Sequence, residues 1–264
     1  MTQFDRLLQM QYAPLYDYAR PRLPHKVLEL TRKYLAAEPR RVVDLGCGTG
    51  LSAEPWTTRG CDVIGIDVQE SMLNVARQKQ LPRARFLLAD ALSTPVETGW
   101  ADVVMCSQSI HWLDPDCLWR EILRLLRQGG LFLSLNYYLM PVGDYNLEQC
   151  FFEFTKAVNT FVWRSAKTVQ PYQRKHHDQH LDASLDSDGF RFAHNISLSS
   201  SESFSAERFV ALALSQGKVF NSLQSADSLL MDDFKRFCDR VSASFQEKEL
   251  DLEISYSLIL RIYE

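Results

Sequence analysis

Three aspartates occupy equivalent places in the chain, each at the end of a short run of apolar residues. They are Asp44, Asp67 and Asp90. Such runs predict buried parallel strands, and the carboxyl ends of parallel strands open into one crevice of a sheet. We therefore expect the three carboxylates to line one binding site and to accept hydrogen bonds from hydroxyl and amino groups of a ligand. The structural alternative for Asp67 is a cap on the helix that follows it.

A loop rich in glycine follows the first of these acids. The nine residues VVDLGCGTG end at Gly50, with further glycines at Gly46 and Gly48. Glycine can adopt a positive φ, and its bare backbone lets N–H groups contact a ligand. The spacing G-x-G-x-G is one residue shorter than the G-x-G-x-x-G of dinucleotide-binding loops, which disfavours a pyrophosphate, and Asp44 suits a cationic amino group. An ordinary structural turn is the alternative.

A polar and aromatic segment, QSIHWLDP, follows the fourth predicted strand and runs from Gln108 to Pro115. It must lie at the same sheet edge as the acids, because it also follows a strand's carboxyl end. His111 in this segment could orient a reacting group of a substrate by a hydrogen bond or remove a proton from that group. The structural alternatives are that His111 and Trp112 only pack together and that Asp114 caps the next helix, with proline at its first position.

Length and charge limit the possible functions. A chain of 264 residues, 46% of them hydrophobic and 23% charged, suffices for one α/β domain with an insertion or for two small domains. The formal charge of -4 and the pI near 5.9 leave no broad basic field, so we expect a small-molecule substrate and no nucleic acid. Six cysteines without C-x-x-C pairs, and no signal-peptide pattern or long apolar run, predict a cytoplasmic protein without a membrane span. The oligomeric state stays open.

The elements that must position these residues follow from hydrophobic periodicity. Strands are predicted over 41–45, 61–67, 84–91, 101–107, 131–135, 190–198 and 252–263. Helices are predicted over 25–37, 51–58, 70–80, 115–127, 146–164, 206–216 and 227–246. The stretch 4–24 is predicted to be irregular, since Pro21 and Pro24 forbid a continuous helix.

Two of these motifs resemble the motifs of a known protein family. VVDLGCGTG resembles motif I of the Rossmann-like S-adenosylmethionine-dependent methyltransferases, and Gln108 to Asp114 is similar to a Q-x-x-H-W-x-D signature of trans-aconitate and malonyl-carrier carboxyl methyltransferases. The resemblance is strong over 40–135 and weak beyond. It implies S-adenosylmethionine as the cofactor. It also implies an α/β fold with a Rossmann-like seven-stranded, mostly parallel sheet, an antiparallel last strand, helices on both faces and a helical cap after strand five.

The resemblance further implies a single domain over residues 1–264. Its expected parts are an N-terminal lid arm (1–24), a cofactor-binding core (25–139), a cap insertion (140–190) and closing strands and helices (190–264).

Roles for individual residues follow from the same resemblance. Asp67 would accept both ribose hydroxyls, Asp90 would contact the adenine amino group, and Arg20 would pair with the cofactor's carboxylate. The expected cofactor-binding residues are Arg20, Asp44, Gly46, Cys47, Gly48, Thr49, Gly50, Asp67, Val68, Met72, Asp90, Ala91, Ser107 and Gln108. The expected acceptor-binding residues are Tyr18, His111, Trp112, Tyr137 and Trp163, of which His111 is the catalytic candidate.

The predicted function is methyl transfer from S-adenosylmethionine to a small molecule, with a carboxylate oxygen as the favoured acceptor. Oxygen, nitrogen or carbon methylation of another metabolite is the alternative within this class. An NAD-linked oxidoreductase and a noncatalytic ligand-binding protein are the alternatives outside it. No metal is expected. His176, His177 and His180 could bind one, but a solvated segment is favoured because no carboxylate or cysteine pair of fixed geometry accompanies them.

Overall fold

The computed structural model describes residues 4–35, 37–165 and 190–263 of the chain. Its strands are β1 (Arg41–Leu45), β2 (Asp62–Asp67), β3 (Ala84–Leu88), β4 (Ala101–Ser107), β5 (Leu126–Tyr137), β6 (Phe190–Phe204) and β7 (Leu250–Tyr263). They form one seven-stranded sheet in the order β3-β2-β1-β4-β5-β7-β6.

Helices and one 3-10 turn connect the strands. The helices are α1 (Asp5–Gln9), α2 (Tyr12–Ala19), α3 (His25–Leu35), α4 (Glu54–Thr58), α5 (Glu70–Gln78), α6 (Pro115–Leu125), α7 (Tyr145–Ser165), α8 (Ala206–Leu214), α9 (Gly217–Gln224) and α10 (Ser228–Phe245). The 3-10 turn spans Ile110–Trp112. None of the described helices combines the length and the apolar character needed to cross a membrane.

Strands β1 to β5 pair in parallel, and β7 runs antiparallel to β5. Central strand β1 places Asp44 beside Gly65 of β2 and Met105 of β4. One hydrophobic cluster joins apolar residues of the central strands, such as Val43, to residues of α6, such as Ile122. The parallel order brings the carboxyl ends of β1, β2, β3 and β4 to one sheet edge, and the predicted fold class is confirmed.

Several local predictions were wrong. Strand β6 continues to Phe204 and does not end at residue 198, and helix α9 was not predicted. The stretch 4–24 is not irregular, because α1 and α2 form within it and end before Pro21 and Pro24, which exclude a helix only close to their own positions. Strand β5 begins at Leu126 and not at residue 131. Gly129 and Gly130, which precede the predicted strand, lie inside β5, where Gly129 has a φ of 73° and the register with β4 shifts between Ala101 and Val103.

The chain divides into two compact units. The helical unit comprises Met1–Pro21, Tyr138–Gln173 and Ser199–Ser255. The sheet unit comprises Arg22–Tyr137, Arg174–Leu198 and Tyr256–Glu264. The predicted arm and cap therefore fall mainly in the helical unit, and the predicted cofactor-binding core falls in the sheet unit. The division into a lid arm, a core and a cap stays a prediction.

Within the helical unit, Arg20 joins the N-terminal arm to the end of α8. Its Nε donates to Ser215 Oγ at 2.7 Å and its Nη2 to the Ser215 carbonyl at 2.8 Å, and Tyr12 donates to the same carbonyl at 2.9 Å. The guanidinium also lies 4.5 Å from the ring centre of Tyr16. Ser215 is the C-cap of α8, so the buried cation meets the partial negative charge of a helix end.

We expect Arg20→Gln to lower the free energy of unfolding by about 1.5–3 kcal/mol, since buried hydrogen bonds to a charged group are lost. Urea denaturation measures this change. Arg6→Gln is the matched control, because the Arg6–Glu207 pair of the same arm is largely exposed and should be worth about 0.2–1 kcal/mol. Equal losses in the two variants would contradict a structural role of Arg20.

Candidate cofactor and acceptor site

The glycine loop leaves β1 and is fixed against β2. The N–H groups of Gly46 and Cys47 donate to the carbonyl of Ile66 at 2.8 and 3.0 Å. Gly46 and Gly50 have φ values of 73° and 77°, which other residues rarely adopt. A Cβ at Gly50 would also lie 2.9 Å from the ring of Phe86. Glycine is thus required by both conformation and space, as the sequence predicted.

Asp44 lies fully buried at the base of this loop. Its Oδ2 accepts a hydrogen bond from Ser52 Oγ at 2.5 Å, while its Oδ1 has no partner among the residues that the structure describes. Burial raises the pKa of Asp44 to about 7, the hydrogen bond from Ser52 opposes this shift, and the charge of Asp67 adds to it. The hydroxyl of Thr49 is likewise buried without a described partner. Because these two atoms lie at the strand end beside the glycine loop, a ligand bound there could complete their hydrogen bonds.

Asp67 is the last residue of β2, and its side chain fixes the glycine loop by a hydrogen bond to the loop backbone. Its carboxylate accepts the N–H of Gly48 at 2.8 Å and the N–H of Gln69 at 2.8 Å. Gln69 is itself the N-cap of α5, so Asp67 does not cap that helix, and the structural alternative for this residue was wrong. Val68 follows with its side chain 65% exposed, and Met72 of α5 is buried.

Asp90 follows β3, where it is exposed and accepts the N–H of Leu92 at 2.9 Å. Ala91 beside it is buried. A hydrogen-bond network that was not predicted from the sequence fixes the loop after Ala91. Glu121 of α6 accepts hydrogen bonds from the N–H and the hydroxyl of Thr94, both at 2.8 Å. Burial alone would raise the pKa of Glu121, but hydrogen bonds from Arg124 and Thr94 hold it below its usual value.

The segment after β4 begins with Gln108 in a left-handed conformation, with a φ of 56°. Its N–H donates to the carbonyl of Leu135 and its side-chain amide to the carbonyl of Tyr137, both at 2.9 Å. These bonds tie the end of β4, at Ser107, to the end of β5. A non-glycine residue in this conformation costs about 1–3 kcal/mol and is concentrated at functional sites.

His111 is buried in the 3-10 turn that follows, and Trp112 is 39% exposed. The two ring centres lie 5.1 Å apart with planes tilted by 46°. Asp114 accepts the N–H of Cys117 at 3.0 Å and Pro115 begins α6, so the helix-start interpretation of Asp114 and Pro115 is confirmed. The roles predicted for His111 and Trp112 stay predictions.

Three predicted site residues lie in the helical unit. Tyr18 and Trp163 are exposed there, and Arg20 makes the bonds to Ser215 described above. Their roles toward cofactor and acceptor stay predictions. His176, His177 and His180 lie outside the described residues. All other predicted site residues belong to the sheet unit.

The comparisons with known proteins agree with this geometry. Residues 43–134 match a family described as a methyltransferase domain. An uncharacterised methyltransferase of Mycobacterium tuberculosis is 37% identical over 115 residues, which cover 44% of this chain and 46% of that protein. Trans-aconitate 2-methyltransferase of Delftia acidovorans is 40% identical over 108 residues, covering 39% of this chain and 40% of that protein. The chain thus spans less than half the length of these curated relatives.

A solved structure extends the likeness to the whole fold. A candidate type II methyltransferase from Anaeromyxobacter dehalogenans superposes with a TM-score of 0.64 over 93% of this chain and 97% of that chain, at 20% identity. Residues 43–134 are thus similar to methyltransferase domains, and the fold of the chain is that of the solved methyltransferase structure. The cofactor of this class is S-adenosylmethionine, as the sequence predicted.

The residues present fit this cofactor. The buried Oδ1 of Asp44 is an acceptor suited to an ammonium group, and the positive-φ glycines expose backbone at the same strand end. Asp67 can accept from hydroxyl groups with the lone pairs that its two backbone bonds leave.

Proposed function

We propose that the protein transfers a methyl group from S-adenosylmethionine to a carboxylate oxygen of a small organic acid. The observation that carries the proposal is the placement of the buried His111 turn at the same sheet edge as the glycine loop. The 40% identity with a trans-aconitate 2-methyltransferase supports an acid as acceptor. The shorter glycine spacing and the buried Asp44 favour this function over an NAD-linked oxidoreductase.

The cofactor supplies an already activated methyl group on a sulfonium. The chain's own residues then need only hold the acceptor in line, orient it and exclude water, which can contribute roughly 7–11 kcal/mol. An acid with an ordinary pKa of about 4 is ionised at neutral pH and needs no general base. His111 would then orient the acceptor by a hydrogen bond and would take no proton from it.

Calorimetry tests the cofactor half of the proposal. We expect S-adenosylhomocysteine to bind and NADH not to bind. Binding of NADH without binding of S-adenosylhomocysteine would contradict the proposal.

Incubation of the protein and S-adenosylmethionine with panels of carboxylic acids, phenols and amines tests the acceptor half of the proposal, with the methylated products detected by mass spectrometry. Methylation of phenols or amines alone would replace the acid by another acceptor.

The pH profile separates the two roles of His111. With a carboxylic acid, and with S-adenosylmethionine kept saturating at every pH so that the titration of Asp44 does not limit cofactor binding, wild-type kcat/KM for the acid should show no rising limb near pH 6.5, where an ordinary histidine titrates. His111→Asn should then lower kcat/KM only modestly, because a general base is worth about 10²–10⁴-fold and an orienting hydrogen bond less. Loss of most activity together with loss of a rising limb would show that His111 is a base.

A further inference from the structure

Ser109 lies between the glycine loop and the His111 turn, and no sequence motif marks it. Its hydroxyl donates to the carbonyl of Leu45, the residue before the loop, at 2.6 Å. Its own carbonyl accepts the N–H of Trp112 at 3.0 Å, which closes the turn that carries His111. Ser109 is buried, so water does not compete for these bonds.

A steric contact adds to these hydrogen bonds. A Cβ placed on Gly46 would lie 2.5 Å from Ser109 Cβ and 3.0 Å from its Oγ. The absence of a side chain at Gly46 therefore lets Ser109 pack directly on the loop backbone. Because the N–H of Gly46 donates to Ile66 of β2, the loop is held from two directions.

Gln108 explains how Ser109 reaches this position. The left-handed conformation of Gln108 turns the chain at the end of β4, and its two bonds to β5 fix that turn. Ser109 consequently contacts β1, a strand 64 residues earlier in the sequence.

We propose that Ser109 is a positioning residue that holds the glycine loop and the His111 turn in one geometry. It acts through the backbone of Gly46 and through the turn, and it contacts neither the cofactor nor the acceptor. The inference rests on the proposed function, because it assigns the loop to the cofactor and His111 to the acceptor.

A matched pair of double variants tests the steric contact. Gly46→Ala/Ser109→Ala and Gly46→Ala/Ser109→Gly share the strained alanine in the glycine loop and the lost hydroxyl, and they differ only in the Cβ at position 109. We expect the variant with glycine at position 109 to bind S-adenosylhomocysteine at least about tenfold more tightly, although glycine itself adds chain entropy that opposes this gain. Equal binding, or tighter binding by the variant with alanine at position 109, would overturn the proposal.

Two single variants test the link to His111. Ser109→Ala should weaken S-adenosylhomocysteine binding by roughly 5- to 30-fold and should shift the ¹³C resonance of His111, assigned by its loss in His111→Asn. Ser134→Ala is the control, since Ser134 of β5 is also buried but its hydroxyl has no described partner; it should change neither quantity. An unchanged His111 resonance in Ser109→Ala would overturn the proposal. Should the wild type bind no S-adenosylhomocysteine, the proposed function fails, and the His111 resonance of the ligand-free protein still decides the role of Ser109.

Discussion

Replacement of Asp67 by alanine should weaken the binding of S-adenosylhomocysteine by about 1–3 kcal/mol, or roughly 5- to 150-fold. The carboxylate accepts the N–H groups of Gly48 and Gln69, so its removal leaves both without this partner and frees the glycine loop. The variant also lacks the acceptor that we assign to the ribose hydroxyls. Both losses act on the same ligand, which makes this one of the largest effects expected of a single side chain here.

Asp62→Ala is the matched control for this experiment. Asp62 begins the same strand that Asp67 ends, and among the described residues its side chain makes an exposed ion pair with Arg83. Its removal should change stability by about 0–1 kcal/mol and leave ligand binding unchanged. Asp67→Asn retains one side-chain acceptor and should fall between Asp67→Ala and the wild type. Unchanged binding by Asp67→Ala would contradict the assignment of this carboxylate to the cofactor.

Much of the sheet could be predicted from the sequence, because buried parallel strands are continuous apolar runs. The runs that end in Asp44 and Asp67 correspond to β1 and β2. Prediction failed where local signals are ambiguous. Pro21 and Pro24 exclude a continuous helix, yet α1 and α2 end before them, at Gln9 and Ala19. The glycines before residue 131 indicate a turn, and they lie in an irregularity of β5, since β4 pairs with Leu126 and then again only from Leu131 onward.

The residues of the candidate site also differ in whether the sequence alone could predict them. Strand-end acids and glycines were predictable because the ends of parallel strands converge whatever the side-chain packing. Ser109 was not, since its role depends on contacts with Leu45 and Gly46 more than 60 residues away. Glu121 was missed for the same reason, because its partner Thr94 lies 27 residues earlier. No sequence signal marks either residue.

The binding of S-adenosylhomocysteine should weaken steeply as the pH falls below 7, and the cause is Asp44. Burial raises the pKa of this carboxyl to about 7, the charge of Asp67 adds to the shift, and the bond from Ser52 opposes it. Burial, and after it the charge of Asp44, raises the pKa values of the thiols of Cys47 and Cys106, so both stay neutral. In the ligand-free protein Asp44 is therefore protonated below about pH 7 and cannot form an ion pair with the ligand's ammonium group.

The sign of the effect follows from proton linkage. A bound ammonium group favours the ionised carboxylate, so binding releases a proton below pH 7, and affinity falls up to tenfold for each further pH unit. We expect roughly 50-fold weaker binding at pH 5 than at pH 7, and a plateau above pH 7 that ends near pH 8, where an α-amino group loses its own proton. Calorimetry in buffers of different ionisation enthalpy measures both the affinity and the released proton.

Asp44→Asn separates this mechanism from a general loss of stability in acid. The asparagine keeps the size and the acceptor oxygen of the side chain but carries no titrating group. Its affinity at pH 7 should be lower than that of the wild type, because the ion pair is gone, and it should not change between pH 5 and 7. Ligand-free stability gives an independent check, since a raised carboxyl pKa makes the folded wild type lose stability as the pH rises from about 4 to 7. An equally steep loss of affinity in Asp44→Asn would assign the pH dependence to another group, and the ammonium of the cofactor would then need a different partner in this site.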